Sequence, residues 1–488
     1  MTAPGIVRAG RVLTAPGHEA PLGPTVIHME HGRIARLEPV DAGSLTPEEA
    51  GMLAMPAPAD AHDHGRGLRT LAYGAADGPL ELWLPALARH PRVDPYLCAA
   101  VAFGRMAEGG ICAANHCHNT QNPAALLAEA EAVSGAARDV GIAVAFALPF
   151  FDRNPAVYGD LDALLATLDP ADRPGLVAQA AALRPLAANM ALAEQIAALE
   201  HDGFRLQYCP VGPQWATHET LAAIAEASAA TGRRVHMHLL ETERQRQWAD
   251  AHYPQGLIPF LDTLGLLTPR LTVAHAVWLR PDECALLAER GVTVSINVSS
   301  NMRLRSGGAP LDDMRAAGLD YGIGLDGASF DDDEDMLREM RLVRHVHALG
   351  KTGAPPMSPA EIFDAALVTG RRTILGDDGG GRIMPGAPAD LALLDFAGMS
   401  RDCVHDDLDE VDLLLGRMTA RHLSSLFVAG REVVRNGRCV TVDLIALEQR
   451  LTDEARAAYN RAPPDRERIA RLQEGIAGFY ARGNHRCP

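Results

Sequence analysis

From residue 56 to residue 378, short apolar runs alternate with longer Ala-rich, amphipathic stretches. The runs GICAANHC, GIAVAFALPF, FRLQYCP, RVHMHLL, LTVAHAV, VTVSINV and YGIGLD are short and almost continuously apolar. They read as strands buried on both faces. Between them NPAALLAEAEAVSGAARDV, HETLAAIAEASAATG and RPDECALLAERG carry a helical period. With the strand that ends in PADAHDH the count reaches eight. Eight βα units over roughly 320 residues predict an α/β fold, a (β/α)8 TIM-type barrel with insertions. An open, doubly wound sheet is the rival, but no Gly-rich dinucleotide fingerprint and no P-loop follows an early strand.

The two flanks differ from the middle. Residues 1–55 hold GIVRAGRVLTA and TVIHMEHGRIARLEP, and residues 379–445 hold GRIMPGAPADLALLDF and SSLFVAGREVVRNGRCV, all short strand-like pieces punctuated by Gly and Pro. They predict one small β-sandwich domain built from both chain ends. Residues 446–488 are charged with a helical period, an extension expected to pack outside the barrel or on a second subunit.

Composition narrows the function. The 488 residues are 47% hydrophobic, enough for a large core, and carry a formal net charge of -17. That charge argues against nucleic acid, whose phosphates need clustered Lys and Arg. The start, MTAPGIVRAG, lacks the apolar stretch of a signal peptide, and the longest apolar run, around Gly141 to Phe151, is too short to span a bilayer. The eight cysteines show no C-x-x-C pair, and Cys112, Cys117 and Cys209 sit inside strands, so reduced thiols and a cytoplasmic location are expected. Lys351 is the only lysine; every other fixed cation is arginine.

In such a barrel, chemistry gathers at the C-terminal strand ends. His62 and His64 close the first strand in ADAHDHGRG. Alternate residues point the same way, so H-x-H offers two imidazoles to one ion. His236 and His238 end the fifth strand, and Glu241 follows His238 by three residues, where a proton shuttle can sit without being a ligand. His275 ends the sixth strand. Asp326 ends the eighth, where an uncompensated charge after an apolar strand is costly. Each alone has a plain alternative as a core histidine, helix cap or turn acid. Four strand ends in order, each offering His, Glu or Asp, are poorly explained by coincidence.

PADAHDH, HMHLLET, AHAVWL, SSNMRLRSGGAPL and GLDGAS together resemble the amidohydrolase superfamily, and best its branch of cytosine- and nucleoside-type deaminases and s-triazine hydrolases. The resemblance covers nearly the whole chain, including the closing GRIMPGAPADLALLD. It implies that His62, His64, His238 and Asp326 are metal ligands and that Glu241 is the acid/base carboxylate. It also implies that His275 lies beside the attacked carbon, that Asp326 accepts the water's proton, and that Ser300 and Asn301 lie at the rim. Binuclear relatives bridge two metals with a carboxylated lysine or a carboxylate on the fourth strand. FRLQYCP offers neither, and Lys351 falls after the eighth strand, so one divalent ion is expected. Zinc is the first choice, and iron(II) suits the same ligands. A cytidine-deaminase type of zinc site is rejected because P-C-x-x-C is absent.

The implied activity is that of a metal-dependent aminohydrolase. It would release ammonia from an amino-substituted N-heterocycle or a related amidine or formimino compound, using a metal-activated water. The same site would serve loss of chloride or alkylamine from a triazine, or opening of a cyclic amide. From another class, the alternative is a catalytically silent metal-binding scaffold. The expected partners are a small-molecule substrate and a second copy in a homodimer, with neither nucleic acid nor membrane.

Several positions depart from the pattern. The lead-in PAPADAHDH lacks the usual Gly after Pro. NHCHNTQ adds His116 and His118, which either line the pocket or form a satisfied structural pair. Gln214 and Trp215 could offer an amide and a stacking face to a flat heterocycle, or simply pack. Arg303, with Arg305, could meet an anionic substrate group. The run DDDEDM is expected to start the eighth helix, where carboxylates complement the dipole.

Overall fold

Eight parallel strands form the centre of the molecule: β1 (Ala59–Asp63), β2 (Ala113–Cys117), β3 (Ala143–Pro149), β4 (Phe204–Cys209), β5 (Val235–Leu239), β6 (Leu271–His275), β7 (Thr293–Ile296) and β8 (Tyr321–Ile323). The computed structural model describes residues 5–120, 122–154, 156–327, 329–350, 357–405 and 408–487; Lys351 lies outside them. Each strand pairs with the next in chain order. Just beyond β8 the Asp326 amide donates to the His62 carbonyl at 2.8 Å, which brings the sheet close to a closed barrel. The buried Asp60 carboxylate ties the same seam, accepting the amides of His62 at 3.1 Å and Leu325 at 3.2 Å. Only glycine fits where the seam is tightest: a Cβ on Gly324 would lie 2.8 Å from the His62 carbonyl oxygen.

Burial on both faces explains why the strands read as apolar runs. All five residues of β5 are buried, with Val235, Met237 and Leu239 in the main apolar core and the alternating His236 and His238 on the other face.

The chain ends build two further sheets. Gly5–Ala9, Thr25–Glu30 and Arg33–Pro39 form an antiparallel three-stranded sheet. A six-stranded sheet joins both ends where Leu391–Asp395 pairs antiparallel with Met52–Pro56. Val7, Ile27, Ile34, Ala54 and Leu391 share one apolar cluster between the sheets, the packing a sandwich requires.

Helices α1 (Pro95–Glu108), α2 (Leu126–Val140) and α3 (Glu243–His252) follow or precede barrel strands. The extension forms α4 (Leu444–Arg461) and α5 (Arg466–Ala481), and both pack on this chain's own barrel. In α4, Leu444 sits against Gly104 of α1 and Glu448 pairs with Arg105 at 2.6 Å. In α5, Arg471 pairs with Asp172 at 2.9 Å, and the Gln473 amide donates to the Leu82 carbonyl at 2.6 Å. Leu82 belongs to a detour after β1, residues 70–89, whose Ala75, Leu80, Trp83 and Ala86 pack with Leu304 as a separate apolar cluster. This detour spans the barrel mouth from β1 to the loops after β5 and β7. Among the described residues no single helix is long and apolar enough to cross a membrane.

Candidate active site

His62 is the last-but-one residue of β1 and His64 follows the strand; His238 is the last-but-one of β5; Asp326 stands three residues beyond β8. All four side chains are buried, and one ligand atom from each lies within 4.8 Å of the others. Asp326 Oδ1 is 3.1 Å from His62 Nε2 and 3.0 Å from His64 Nε2, and His64 Nε2 is 3.4 Å from His238 Nε2.

The outer nitrogens of these rings fix what the inner ones can do. His64 Nδ1 donates to the Cys117 carbonyl at 2.7 Å, and His238 Nδ1 donates to the Val211 carbonyl at 2.8 Å. Each Nε2 therefore presents a lone pair to the centre. Burial holds His62 down to about 3, lowers His64, and holds His238 well below the usual imidazole range. Burial pushes the Asp326 carboxyl up, but the facing imidazoles of His62 and His64 overcome it and hold the group well below the usual range. His62 Nε2 and Asp326 Oδ1 are buried with no hydrogen bond of good geometry. Neutral lone pairs and an anionic oxygen converge with no proton between them, an arrangement that repels itself unless a cation sits there. The residues present thus fit one divalent ion with three nitrogens and one oxygen.

Backbone strain collects at the same place. Leu240, His275, Ala276 and Asp326 have φ of 49°, 71°, 49° and 60°, in the left-handed region that non-glycine residues avoid. They end strands β5, β6 and β8, and each turn there re-aims a side chain or carbonyl at the cluster.

Glu241 follows the turn at Leu240. It is buried, and desolvation lifts its carboxyl to about 7, with His275 opposing and Asp326 and Glu81 assisting. Its Oε2 faces His275 Nε2 at 3.7 Å, and Oε1 accepts from Ser306 Oγ at 3.2 Å. His275 Nδ1 lies 2.9 Å from Asn301 Oδ1 and 3.2 Å from Asn297 Nδ2, one an acceptor and one a donor. That nitrogen has a partner in either ring tautomer. The arrangement pairs a carboxyl that titrates near neutrality with an imidazole held by two amides, beside a cation site.

Ser300, placed at the rim by sequence, donates its hydroxyl to Asp326 Oδ2, while Asn301 orients His275. His116 and His118 bond to each other at 3.0 Å, and His118 pairs with Glu129 at 2.8 Å; both rings line a cavity next to His64. Three other expected contacts are not brought to the cluster. The Gln214 amide oxygen accepts from Gln245 Nε2 at 2.5 Å. Trp215 is buried against Phe151 and Tyr158, with ring centres 5.8 and 5.7 Å away. Arg303 is spent on Asp77 at 2.9 Å and Asp332 at 2.6 Å, pinning the 70–89 detour. In the acidic run, Asp335 caps the following helix by accepting the Arg338 amide.

Sequence reading missed several partners. His236 Nε2 lies 2.7 Å from His62 Nδ1, filling for His62 the orienting role that carbonyls fill for His64 and His238. Its H-x-H spacing with His238 was the available signal. Glu81 left none: it comes from the detour, accepts from Thr242 Oγ1 at 2.5 Å and pairs with Arg244 at 3.2 Å.

An amidohydrolase-family model matches residues 53–431. A 5-methylthioadenosine/S-adenosylhomocysteine deaminase of Nitratidesulfovibrio vulgaris is 35% identical over 222 residues, 46% of this chain and 50% of its own. An 8-oxoguanine deaminase of Pseudomonas aeruginosa is 32% identical over 248 residues, 50% of this chain and 54% of its own. The chain thus spans about half the length of these curated relatives. A zinc-bound adenosine deaminase structure from Xanthomonas campestris superposes with a TM-score of 0.72 at 23% identity, covering 93% of this chain and 98% of that one. A triazine hydrolase from Arthrobacter aurescens gives 0.77 at 21%, covering 93% and 99%. At such identities the structural likeness shows the fold alone.

Proposed function

This chain belongs to the amidohydrolase family, and from that premise we propose that it is a mononuclear zinc aminohydrolase releasing ammonia from an amino-substituted N-heterocycle or a related amidine. The observation that carries this is the meeting of His62, His64, His238 and Asp326 within 4.8 Å, with the Glu241 and His275 pair alongside. Deaminase relatives and a zinc-bound structural neighbour support the choices of leaving group and metal.

An ion held by those four residues supplies Lewis acidity and makes water acidic enough to attack at neutral pH. Everything else is done by side chains. Asp326 takes the proton of the attacking water. Glu241, half protonated at about pH 7, gives its proton to the nitrogen next to the attacked carbon, which draws electron density off that carbon. His275 donates from Nε2 to the oxygen being added and holds it against the attacked carbon while the bond forms. The proton on Asp326 then passes to the amino group, the proton left on the added oxygen returns to Glu241 as the C–N bond breaks, and ammonia departs from the oxo-product. Burial of all six residues excludes bulk water and strengthens each of these interactions.

The test is an ammonia-release assay with the zinc-loaded protein across aminopurines, aminopyrimidines and aminotriazines, with elemental analysis of the same sample. Equimolar ammonia and oxo-product from at least one compound is expected, at about one zinc per chain. Turnover that yields chloride, alkylamine or a ring-opened acid instead would overturn the leaving-group assignment. Two metals per chain would overturn the mononuclear one.

A further inference from the structure

A cavity of about 600 Å³ adjoins His64 and runs between Tyr73, the start of α1 and the start of α2. His116 and His118, at the end of β2, form its inner wall. At its boundary with the cluster stands Gly65, where a Cβ would lie 2.3 Å from His116 Nδ1. Only a glycine lets that ring pack so close to the chain beside His64, which itself lines the cavity. Arg66, the next residue, touches both regions: one nitrogen donates to the Asp326 carbonyl and another reaches toward Asn119 at 3.5 Å.

The cavity's ionisable lining is unbalanced. Arg66 and Arg92 bring positive charge, Arg66 with the buried Asp63 acting on it from behind the wall, while Glu129 is the one carboxylate among the lining residues. Glu129 is committed to His118 at 2.8 Å and to the Asn122 amide at 3.0 Å. Arg92 forms no ion pair among the described residues. His116 is 3% exposed and its Nδ1 has no hydrogen-bond partner. The remaining wall is apolar, with Val93, Ala99 and Val133. In a chain of net charge -17, a donor-rich cavity of this kind suits an anion drawn in by short contacts and not by the long-range field.

We propose that this cavity is a substrate subsite for an ionised carboxylate, joined by a short spacer to the amidine-like group that reacts at the metal cluster. The proposal rests on the aminohydrolase reading for the reacting end only. Arg66 and Arg92 hold the carboxylate, and the apolar wall receives the spacer.

The test is an equilibrium titration of the zinc-loaded protein with ω-guanidino carboxylic acids of two to five carbons, each against its neutral carboxamide. Titration needs no turnover, so it stands apart from the ammonia assay. The best acid is expected to bind at least about tenfold more tightly than its amide, the scale of charge-assisted hydrogen bonds. Arg92→Gln is expected to remove most of that preference. Arg66→Gln is expected to remove it too, although its contact with Asp326 makes metal content a necessary control. Equal binding of acid and amide at every length, or no binding by any member, overturns the proposal. So does a preference for acid that survives in Arg92→Gln and in metal-replete Arg66→Gln, because the carboxylate would then be sitting on the zinc.

Discussion

His238 and Glu241 lie three residues apart and treat charge in opposite ways. Burial keeps the His238 ring neutral with its lone pair inward, while the same burial keeps a proton on Glu241 up to about pH 7. His238→Ala should therefore lose nearly all of the bound metal, read by elemental analysis, while the fold persists by circular dichroism. Glu241→Gln keeps the shape and removes the proton; kcat should fall by ~10²–10⁴, the usual worth of general acid–base catalysis. The wild-type rate should decline as pH rises through about 7, and the variant should lack that limb. Stability has the matching sign in the metal-free protein. A carboxyl raised on folding favours the folded state while protonated, and this contribution is lost as pH rises from the unfolded value toward about 7. Glu241→Gln should thus raise the melting temperature of the metal-free protein at pH 8 relative to wild type, and leave it nearly unchanged at pH 4.

At the scale of elements, the detour across residues 70–89 is the part of the site least like a barrel. It is fastened by Asp77 to Arg303, by the Leu82 carbonyl to Gln473 of α5, and by Glu81 to Thr242. Thr242 caps α3 by accepting the Gln245 amide, and Gln245 Oε1 in turn accepts the Glu241 amide at 2.6 Å. Glu81 is thus a positioning residue for Glu241 through the cap of α3. Its charge also helps hold the Glu241 proton. Glu81→Gln should lower kcat by about tenfold with little change in KM, the worth of one buried charge-assisted hydrogen bond. It should also move the alkaline limb of the rate profile to lower pH. Unchanged kcat and an unmoved limb would make Glu81 a fastener of the detour and nothing more. Arg303, once expected to meet substrate, pins the same element, so Arg303→Gln should cost thermal stability more than KM.

For the whole molecule, the cluster joins strand ends from β1, β5 and the segment after β8, which are distant in sequence, with β5 standing across the sheet from the seam where β1 and β8 meet. An ion bound there ties the barrel across its mouth. Chelation should lower the melting temperature in proportion to occupancy; a site filled at a thousandfold above its Kd contributes about 4 kcal/mol. Zinc should restore it. The extension acts on the same scale: α4 and α5 lie on this chain's own barrel and reach the detour, so the last forty or so residues belong to the architecture of the mouth.

What the chain reveals unaided is whatever depends on local period. Continuous apolar runs mark strands buried on both faces, and H-x-H at a strand end places two rings on one side, so eight strands, the histidines that cluster and the position of Glu241 are legible from neighbours in sequence. The split sandwich is legible for the same reason, because alternation survives at both ends even though the partners lie far apart. Tertiary structure alone decides who meets whom over long separations. Glu81 approaches Thr242, Gln473 approaches Leu82, and Arg303 is claimed by Asp77, through contacts between segments with no shared pattern. Gln214, Trp215 and Arg303 carry chemistry suited to a heterocycle or an anion, but folding commits them to Gln245, to an aromatic cluster and to an ion-pair network before any substrate arrives. The physical reason is that a polar side chain buried during folding must find a partner then, and sequence shows the need for a partner without showing which one is in reach.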